Sequence, residues 1–326
     1  MANPNFGFDT TAEEVASYHS SSIKGKTFLV TGVTPGGLGL YTAKVLAAHS
    51  PALIILAARS AATLSAAQAE VAEVAKVPTK LLTLDLGSIR TVRAAAAEVN
   101  SWDDVPKIDV LINNAGIMSV PFALSEDGIE SQFATNHIGT FLFTNLIIDK
   151  IIAAKGRIVN LSSSGHRFGP VRFDDWNFQN GKEYPAIGAS VVDPAYGQSK
   201  TANILHAAAL AERLKDKGVT AFSVHPGGIF TNLGRYVSME MWKERGVLDE
   251  DGNLIPNGPF KLKQISQGTA TTITAALDPN IADHSGGYLD DCQLAPQNLS
   301  EWATGKENAD KLWALSEKLV GQTFDF

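Results

Sequence analysis

The sequence predicts an α/β fold built as one doubly wound domain, a seven-stranded parallel sheet with helices on both faces. Three observations carry this expectation. From Lys26 onward, short runs rich in Val, Ile and Leu alternate with longer Ala-rich stretches of helical period. The short runs are almost continuously apolar, as strands covered on both faces must be. A glycine-rich turn, Thr31-Gly32-Val33-Thr34-Pro35-Gly36-Gly37-Leu38-Gly39, separates the first run from the first helical stretch.

Taken in order, the strands fall at 27–31, 53–57, 80–84, 109–113, 157–161 and 221–225, with a last short one at 287–289. Helices are expected at about 38–49, 60–75, 88–100, 127–154 and 194–217, each long enough for a right-handed crossover between parallel strands. Three stretches stand outside the alternation. Residues 1–23 read as a polar N-terminal extension, a surface arm; 165–193 as an inserted loop; and about 230–267, with Gly246, Gly252, Pro256, Gly258 and Pro259, as a substrate lid. Residues 24–326 then form a single domain, and a chain of 326 residues, 44% hydrophobic and 19% charged, can bury one large core.

The composition also excludes. A net charge of −7 offers no basic face to a nucleic-acid backbone. No run approaches the ~18 apolar residues of a membrane span, and the most apolar stretch, 138–154, is interrupted by Asp149 and Lys150. The first residues lack the basic start and apolar stretch of a signal peptide. Cys292 is the only cysteine, which rules out an intrachain disulfide and fits a reducing compartment; a cytoplasmic protein is expected. The histidines lack the paired spacing of a metal site, and no Gly-x-Ser-x-Gly elbow supports serine hydrolysis.

The glycine turn has a physical reading. Gly32, Gly37 and Gly39 allow a tight turn and close backbone approach, and the helix opening at Leu38 presents free N–H groups to a pyrophosphate, as in a Rossmann-type dinucleotide site. A triphosphate-binding P-loop is excluded, because Leu38 stands where that motif needs Lys. After the second strand the chain reads Ala57-Ala58-Arg59-Ser60. A cation there, with no acid for the ribose hydroxyls, favours a 2′-phosphate and hence NADP(H).

Tyr196 and Lys200 lie four residues apart on a helix and share one face. An ammonium beside a phenol favours the phenolate, which makes the tyrosine a usable proton carrier. A pair at this spacing is more often two surface residues, so its context decides. The strand at 157–161 runs into Ser162-Ser163-Ser164 at the carboxyl edge of the sheet, where doubly wound folds bind ligands. Asn113-Asn114-Ala115-Gly116 ends the fourth strand, and Asn136 sits inside the next helix, where Asn is poorly favoured.

These motifs, in this order, resemble the short-chain dehydrogenase/reductase family over about residues 26 to 292, and the stretch from Arg157 to Lys200 is most similar to its retinol-dehydrogenase-like branch. In that branch Ser-Ser-x-x-His precedes a long insert, and here 33 positions separate Ser163 from Tyr196. The resemblance implies a catalytic tetrad of Asn136, Ser163, Tyr196 and Lys200. Ser163 would hold the substrate oxygen and Tyr196 transfer its proton. Lys200 would bind the nicotinamide ribose and acidify the tyrosine, while Asn136 would place a water that passes protons to Lys200. It also implies cofactor contacts from Gly32, Gly37, Leu38, Gly39, Arg59, Asp85, Leu86, Asn113 and Gly116, and from Pro226, Gly227, Ile229 and Thr231 in the loop over the nicotinamide.

The chemistry implied is interconversion of a ketone or aldehyde with its alcohol, using NADP(H). The substrate is a small molecule, and the family's habit implies a homodimer or homotetramer. The alternative is a cofactor-binding sensor or scaffold that kept the fold and lost the chemistry. In the turn itself, one extra residue precedes Gly37 and Gly39, so Pro35-Gly36 is expected to bulge outward. Aromatic and Met side chains of the insert and lid, among them Phe168, Phe173, Trp176, Phe178, Tyr184, Tyr236, Met239, Met241 and Trp242, suit an apolar or aromatic substrate, or else simply pack those loops.

Overall fold

The computed structural model describes residues 2–184, 193–244, 246–253, 255 and 261–326. Strand β1 (Thr27–Thr31) lies centrally and pairs in parallel with β2 (Leu53–Ala58) on one side and β4 (Val110–Asn113) on the other. Outside β2 comes β3 (Thr79–Thr83); beyond β4 come β5 (Arg157–Leu161), β6 (Thr220–His225) and β7 (Tyr288–Asp290). The order β3-β2-β1-β4-β5-β6-β7 makes the chain reverse its lateral direction between β1 and β4. Connections leaving those two strands diverge, and a crevice opens at their carboxyl ends.

The expected count of seven parallel strands needs one correction. A two-residue strand, β8 (Gln293–Leu294), turns back antiparallel onto β7. The reversal passes through Asp291 and Cys292, both in the left-handed region with φ of 48° and 62°. Two residues are too few to carry a periodic signal.

Helices cover both faces. On one face lie α1 (Ala12–Tyr18), α2 (Leu38–Ala47), α3 (Ala61–Val74) and, from late in the chain, α10 (Ile265–Leu277). On the other lie α4 (Ile89–Asn100) and a long segment made of α5 (Ser131–Phe133), a π-helical turn (Ala134–Ile138) and α6 (Gly139–Leu146), joined by α8 (Pro194–Arg213) and α11 (Lys306–Val320). Serine hydroxyls start two of these helices, Ser60 accepting from Thr63 N and Ser88 from Thr91 N. The expected helix over 127–154 is thus divided, and a 61° bend separates it from α7 (Ile148–Ala154). Among the described residues no single helix is long and apolar enough to cross a membrane.

The N-terminal extension is no free arm. Thr11 and Glu14 form a reciprocal capping box, and Ala12, Val15 and Ala16, spaced along one helical face, are wholly buried on the α10 side of the sheet. Gln293 Nε2 donates to Asn3 O and Phe6 O, both at 2.8 Å, and pins the segment to β8. The lid also ends earlier than expected. It contains the short α9 (Met239–Glu244) and gives way to α10 at Ile265; Pro256, Gly258 and Pro259 lie outside the described residues, as do 185–192 of the insert.

Candidate active site

The crevice is walled first by the glycine turn. Gly32 has φ of +75°, and a Cβ there would lie 2.7 Å from Ala115 Cα. At Gly39 a Cβ would fall 2.4 Å from Asn114 Nδ2 and 2.6 Å from Gly32 O. The amide of Asn114 in turn donates to Thr31 O at 2.8 Å and Gly32 O at 3.2 Å, so the ends of β1 and β4 interlock around missing side chains. The expected bulge is present: Gly37 N donates to Thr34 O at 2.9 Å, with Pro35 and Gly36 (φ +73°) as the central pair of a tight turn. Thr34 and Pro35 line the crevice as a result. Gly37 caps α2 without a side chain, which leaves the helix's first N–H groups open to an anion. These residues fit a dinucleotide pyrophosphate. Arg59 stands on the same wall, past the end of β2, where Ala58 is nearly buried.

The wall from β4 is displaced by one residue from expectation. Asn113 turns into the core, its Nδ2 donating to Thr144 Oγ1 at 3.0 Å and Asn160 Oδ1 at 2.9 Å; Asn114, Ala115 and Gly116 line the crevice instead. The alternation of a strand explains this, since neighbours point to opposite faces. Gly39 and Asp85 likewise stay out of the wall. Gly39 serves helix packing, and Asp85 Oδ1 accepts from Gly87 N at 3.0 Å, while Leu86 does line the crevice.

Lys200 and Tyr196 come from the first turns of α8, which Pro194 and the Asp193 cap begin. The Lys200 side chain is almost wholly buried, Nζ donating to Leu161 O at 3.0 Å and lying 5.5 Å from the centre of the Tyr196 ring. Burial pushes its amine down to about 8. Gly116 makes room for two side chains at once: a Cβ there would lie 3.1 Å from Asn136 Oδ1 and 3.5 Å from Lys200 Nζ. Asn136 is fully buried behind the wall. Its Oδ1 accepts from Ile117 N at 2.8 Å, and its Nδ2 donates to Ile117 O and Ser199 Oγ, each at 2.9 Å. The amide therefore clasps the backbone that follows Gly116 with its oxygen and one donor hydrogen, and spends the other on Ser199 at the start of α8.

Among the three serines, Ser162 Oγ donates into α8, to Lys200 O at 2.8 Å. All three line the crevice. Gly165 brings Ser163 and the tyrosine together, because a Cβ at that glycine would lie 2.8 Å from Tyr196 Cε1 and 3.3 Å from Ser163 Oγ. His166 secures the same turn. Its Nδ1 lies 2.7 Å from Ser163 O and its Nε2 accepts from Ser300 N at 3.2 Å, which assigns the proton to Nδ1. Burial lowers its basicity, so the neutral ring that this bonding needs is the favoured form.

The loop after β6 closes the far wall with Pro226, Gly227, Ile229 and Thr231. His225 Nδ1 accepts from Ser164 N at 3.1 Å and ties this loop to the serine turn; burial pushes the ring down to about 3. Of the aromatic and Met residues named from the insert and lid, Phe168 and Trp242 line the crevice, whereas Phe178 and Met241 are buried and Phe173 and Trp176 pack against the core. Sequence reasoning missed Asn114, Met118 and Gly165. Only Gly165 had a usable signal, a glycine directly after a serine cluster.

A crevice at the carboxyl edge of a doubly wound sheet, with an anion-ready glycine turn at one end and a buried Lys beside a Tyr at the other, defines a nucleotide-dependent oxidoreductase. Comparison with known proteins bears this out. The chain belongs to the short-chain dehydrogenase family, whose model matches residues 26–173. It is 39% identical to the chloroplastic short-chain dehydrogenase TIC 32 A of Brassica napus, over 97% of this chain and 94% of that one. It is 37% identical to human retinol dehydrogenase 13, over 92% and 86% respectively. Among solved structures, an uncharacterised protein from Mycobacterium paratuberculosis superposes with a TM-score of 0.68 at 30% identity, covering 93% of this chain and 96% of the other. The chain is accordingly an oxidoreductase acting on CH–OH groups and their carbonyl counterparts.

Proposed function

We propose that this chain uses NADP(H) to interconvert a ketone or aldehyde with its alcohol on an apolar or aromatic small molecule. The observation that carries the cofactor preference is Arg59, on the crevice wall where a carboxylate would otherwise meet ribose hydroxyls. The bound cofactor supplies or takes the hydride. Tyr196 gives or takes the proton at the substrate oxygen, which Ser163 holds from the same side. Lys200 favours the phenolate and holds the nicotinamide ribose. Asn136 sets the backbone after Gly116 against Lys200, and would place the water that passes protons to Lys200.

Phe168, Met118, Leu233 and Trp242 give the substrate end an apolar lining. The buried thiol of Cys292 agrees with a reducing compartment, and the cytoplasm is the proposed place of action. A homodimer or homotetramer, if formed, must use a surface other than α6 and α8. The chain's own α11 covers these, with Trp313 against Phe141 at 4.9 Å between ring centres and Asp310 3.2 Å from Arg213.

NADPH oxidation across a panel of ketones and aldehydes tests the reading, with Tyr196→Phe and Arg59→Ala beside the wild type. Turnover abolished by the first variant, and a KM for NADPH raised tenfold or more by the second with little change for NADH, is expected. Tight NADPH binding with no carbonyl reduced would favour a sensor protein instead.

A further inference from the structure

Behind the reactive pair lies a polar cluster that the chemistry above does not use. Glu130 and Asp193 are both buried, and each caps a helical segment that delivers a reactive side chain. Glu130 accepts from Gln132 N and Phe133 N, both at 2.8 Å and one on each oxygen, at the start of the segment carrying Asn136. Asp193 accepts from Tyr196 N at 2.9 Å at the start of α8. Gln132 joins the two caps. Its Nε2 donates to the Tyr184 hydroxyl at 2.8 Å and faces the Asp193 oxygens at 3.4 and 3.5 Å, while its Oε1 accepts from Ser119 N at 3.0 Å.

Other segments close on the same two residues. The Tyr184 hydroxyl, from the insert, lies 3.1 Å from Glu130 Oε1 and 3.2 Å from Val120 O. Glu130 N donates to Asn177 Oδ1 at 2.8 Å, again in the insert. Ser119 Oγ donates to Asp193 Oδ2 at 3.2 Å. Insert, β4 loop and both helix starts therefore meet around Glu130.

We infer that Glu130 is a positioning residue for the reaction: through Gln132 and Asp193 it fixes the start of the Asn136 segment against the start of α8, and so sets where Tyr196 stands in the crevice. Both backbone donors need an acceptor on each oxygen, which a carboxylate has and a carboxamide lacks. The inference rests on the proposed role of Tyr196. An N-cap that only stabilised its own helix would need neither the link through Gln132 nor the hydroxyl from the insert.

The cluster also has a titration in an accessible range. Burial, with Asp193 adding to it, pushes the Glu130 carboxyl up to about 7 despite the backbone donors and Tyr184. Asp193 and Tyr184 are the titratable groups that face it, and no lysine or arginine pairs with it among the described residues. Once protonated, Glu130 donates to the Tyr184 oxygen, that hydroxyl turns to Val120 O, and one backbone donor loses an acceptor. The caps loosen without coming apart. Turnover should fall as pH drops through about 7.

Glu130→Gln and Gln132→Met test this in the full-length protein. Steady-state rates from pH 5.5 to 9 would be read with a carbonyl from the panel, beside NADPH affinity by fluorescence and a thermal melt. In Glu130→Gln, kcat at pH 8 should drop at least tenfold, NADPH affinity should stay within twofold, and the inflection near 7 in kcat should vanish. Should that variant not fold, Gln132→Met removes the link and leaves the cap, with the same drop in kcat expected. A folded variant with unchanged kcat and the inflection intact overturns the inference, as does joint loss of NADPH binding, which would mark a general structural role. A wild type inactive on every carbonyl sinks the earlier reading as well, whereas an active wild type with indifferent variants sinks only this one.

Discussion

Replacing Lys200 by Met should make the protein more stable and nearly inactive. The lysine is almost wholly enclosed, and burial holds its amine at about 8 against an ordinary 10.5. That difference corresponds to about 3 kcal/mol charged against the folded ammonium at neutral pH. Methionine has nearly the same shape and no charge. It forfeits the bond to Leu161 O, about 1 kcal/mol, but that carbonyl keeps the donor from Asn203 Nδ2 at 2.9 Å and is not orphaned. About 2 kcal/mol of net stabilisation at pH 7 remains.

The sign fixes the pH dependence. A lysine whose folded value is depressed is destabilising below the folded value, and the penalty fades as pH rises toward the unfolded one. The advantage of Lys200→Met should therefore be full at pH 7 and shrink between about 8 and 10.5. Urea unfolding of both proteins without cofactor, at pH 7 and pH 9.5, measures it, while carbonyl reduction should fall by a factor of roughly 10² or more. A variant less stable than wild type at pH 7, or an advantage that does not shrink, would refute the reasoning.

Gly165→Ala places a methyl 2.8 Å from the Tyr196 ring and 3.3 Å from Ser163 Oγ, so one of them must move. Displacement of that order at a reacting group costs roughly 10²-fold in rate, and NADPH affinity should change little; normal turnover would show that Tyr196 has slack. Gly139→Ala sets a Cβ 2.1 Å from Leu86 O, and a loss of about 1–3 kcal/mol is expected in urea unfolding, with a silent substitution counting against the packing described. Acid should also weaken the fold. His206 is pushed down to about 3, so at pH 5 it forfeits about 2 kcal/mol that protonation would gain only on unfolding, and buried His137, held well below its ordinary 6.5, acts in the same direction. Glu130, raised to about 7, works in the opposite sense and returns about 2–3 kcal/mol over the same range. Glu130→Gln should therefore lose more stability than wild type between pH 7 and pH 5; equal losses would contradict the assignment.

The βαβ alternation was legible because each buried strand is an unbroken apolar run and each helix a long one. All seven expected strands keep their positions to within a residue, and the glycine turn, Tyr196 and Lys200 stand on the crevice as their order implied. What was not legible lies off that pattern. Helix α10 carries Thr269, Thr271, Thr272 and Thr274, all buried, and so hides its apolar face behind hydroxyls that bond back along the helix, such as Thr274 to Ala270 O. In α1 three small residues at helical spacing were too slight a signal beside polar neighbours. The exchange of Asn113 for Asn114 turned on one step of strand alternation, and the Glu130–Gln132–Asp193 cluster is assembled from segments more than 60 positions apart.

The π-helical turn that holds Asn136 has a consequence for the whole long segment. An α-helix advances about 100° per residue, so an inserted residue rotates everything beyond it by that much. Upstream of the turn, the phase is set by the Glu130 cap on Gln132 and Phe133, and within it by the contacts of Asn136; downstream, it is set by the core, where Phe141, Leu142 and Phe143 are fully enclosed. No single uninterrupted spiral serves both demands. The widened turn acts as a splice between two phases, and deleting one residue from 134–138 would leave the protein a choice between a misplaced amide and a dislodged core.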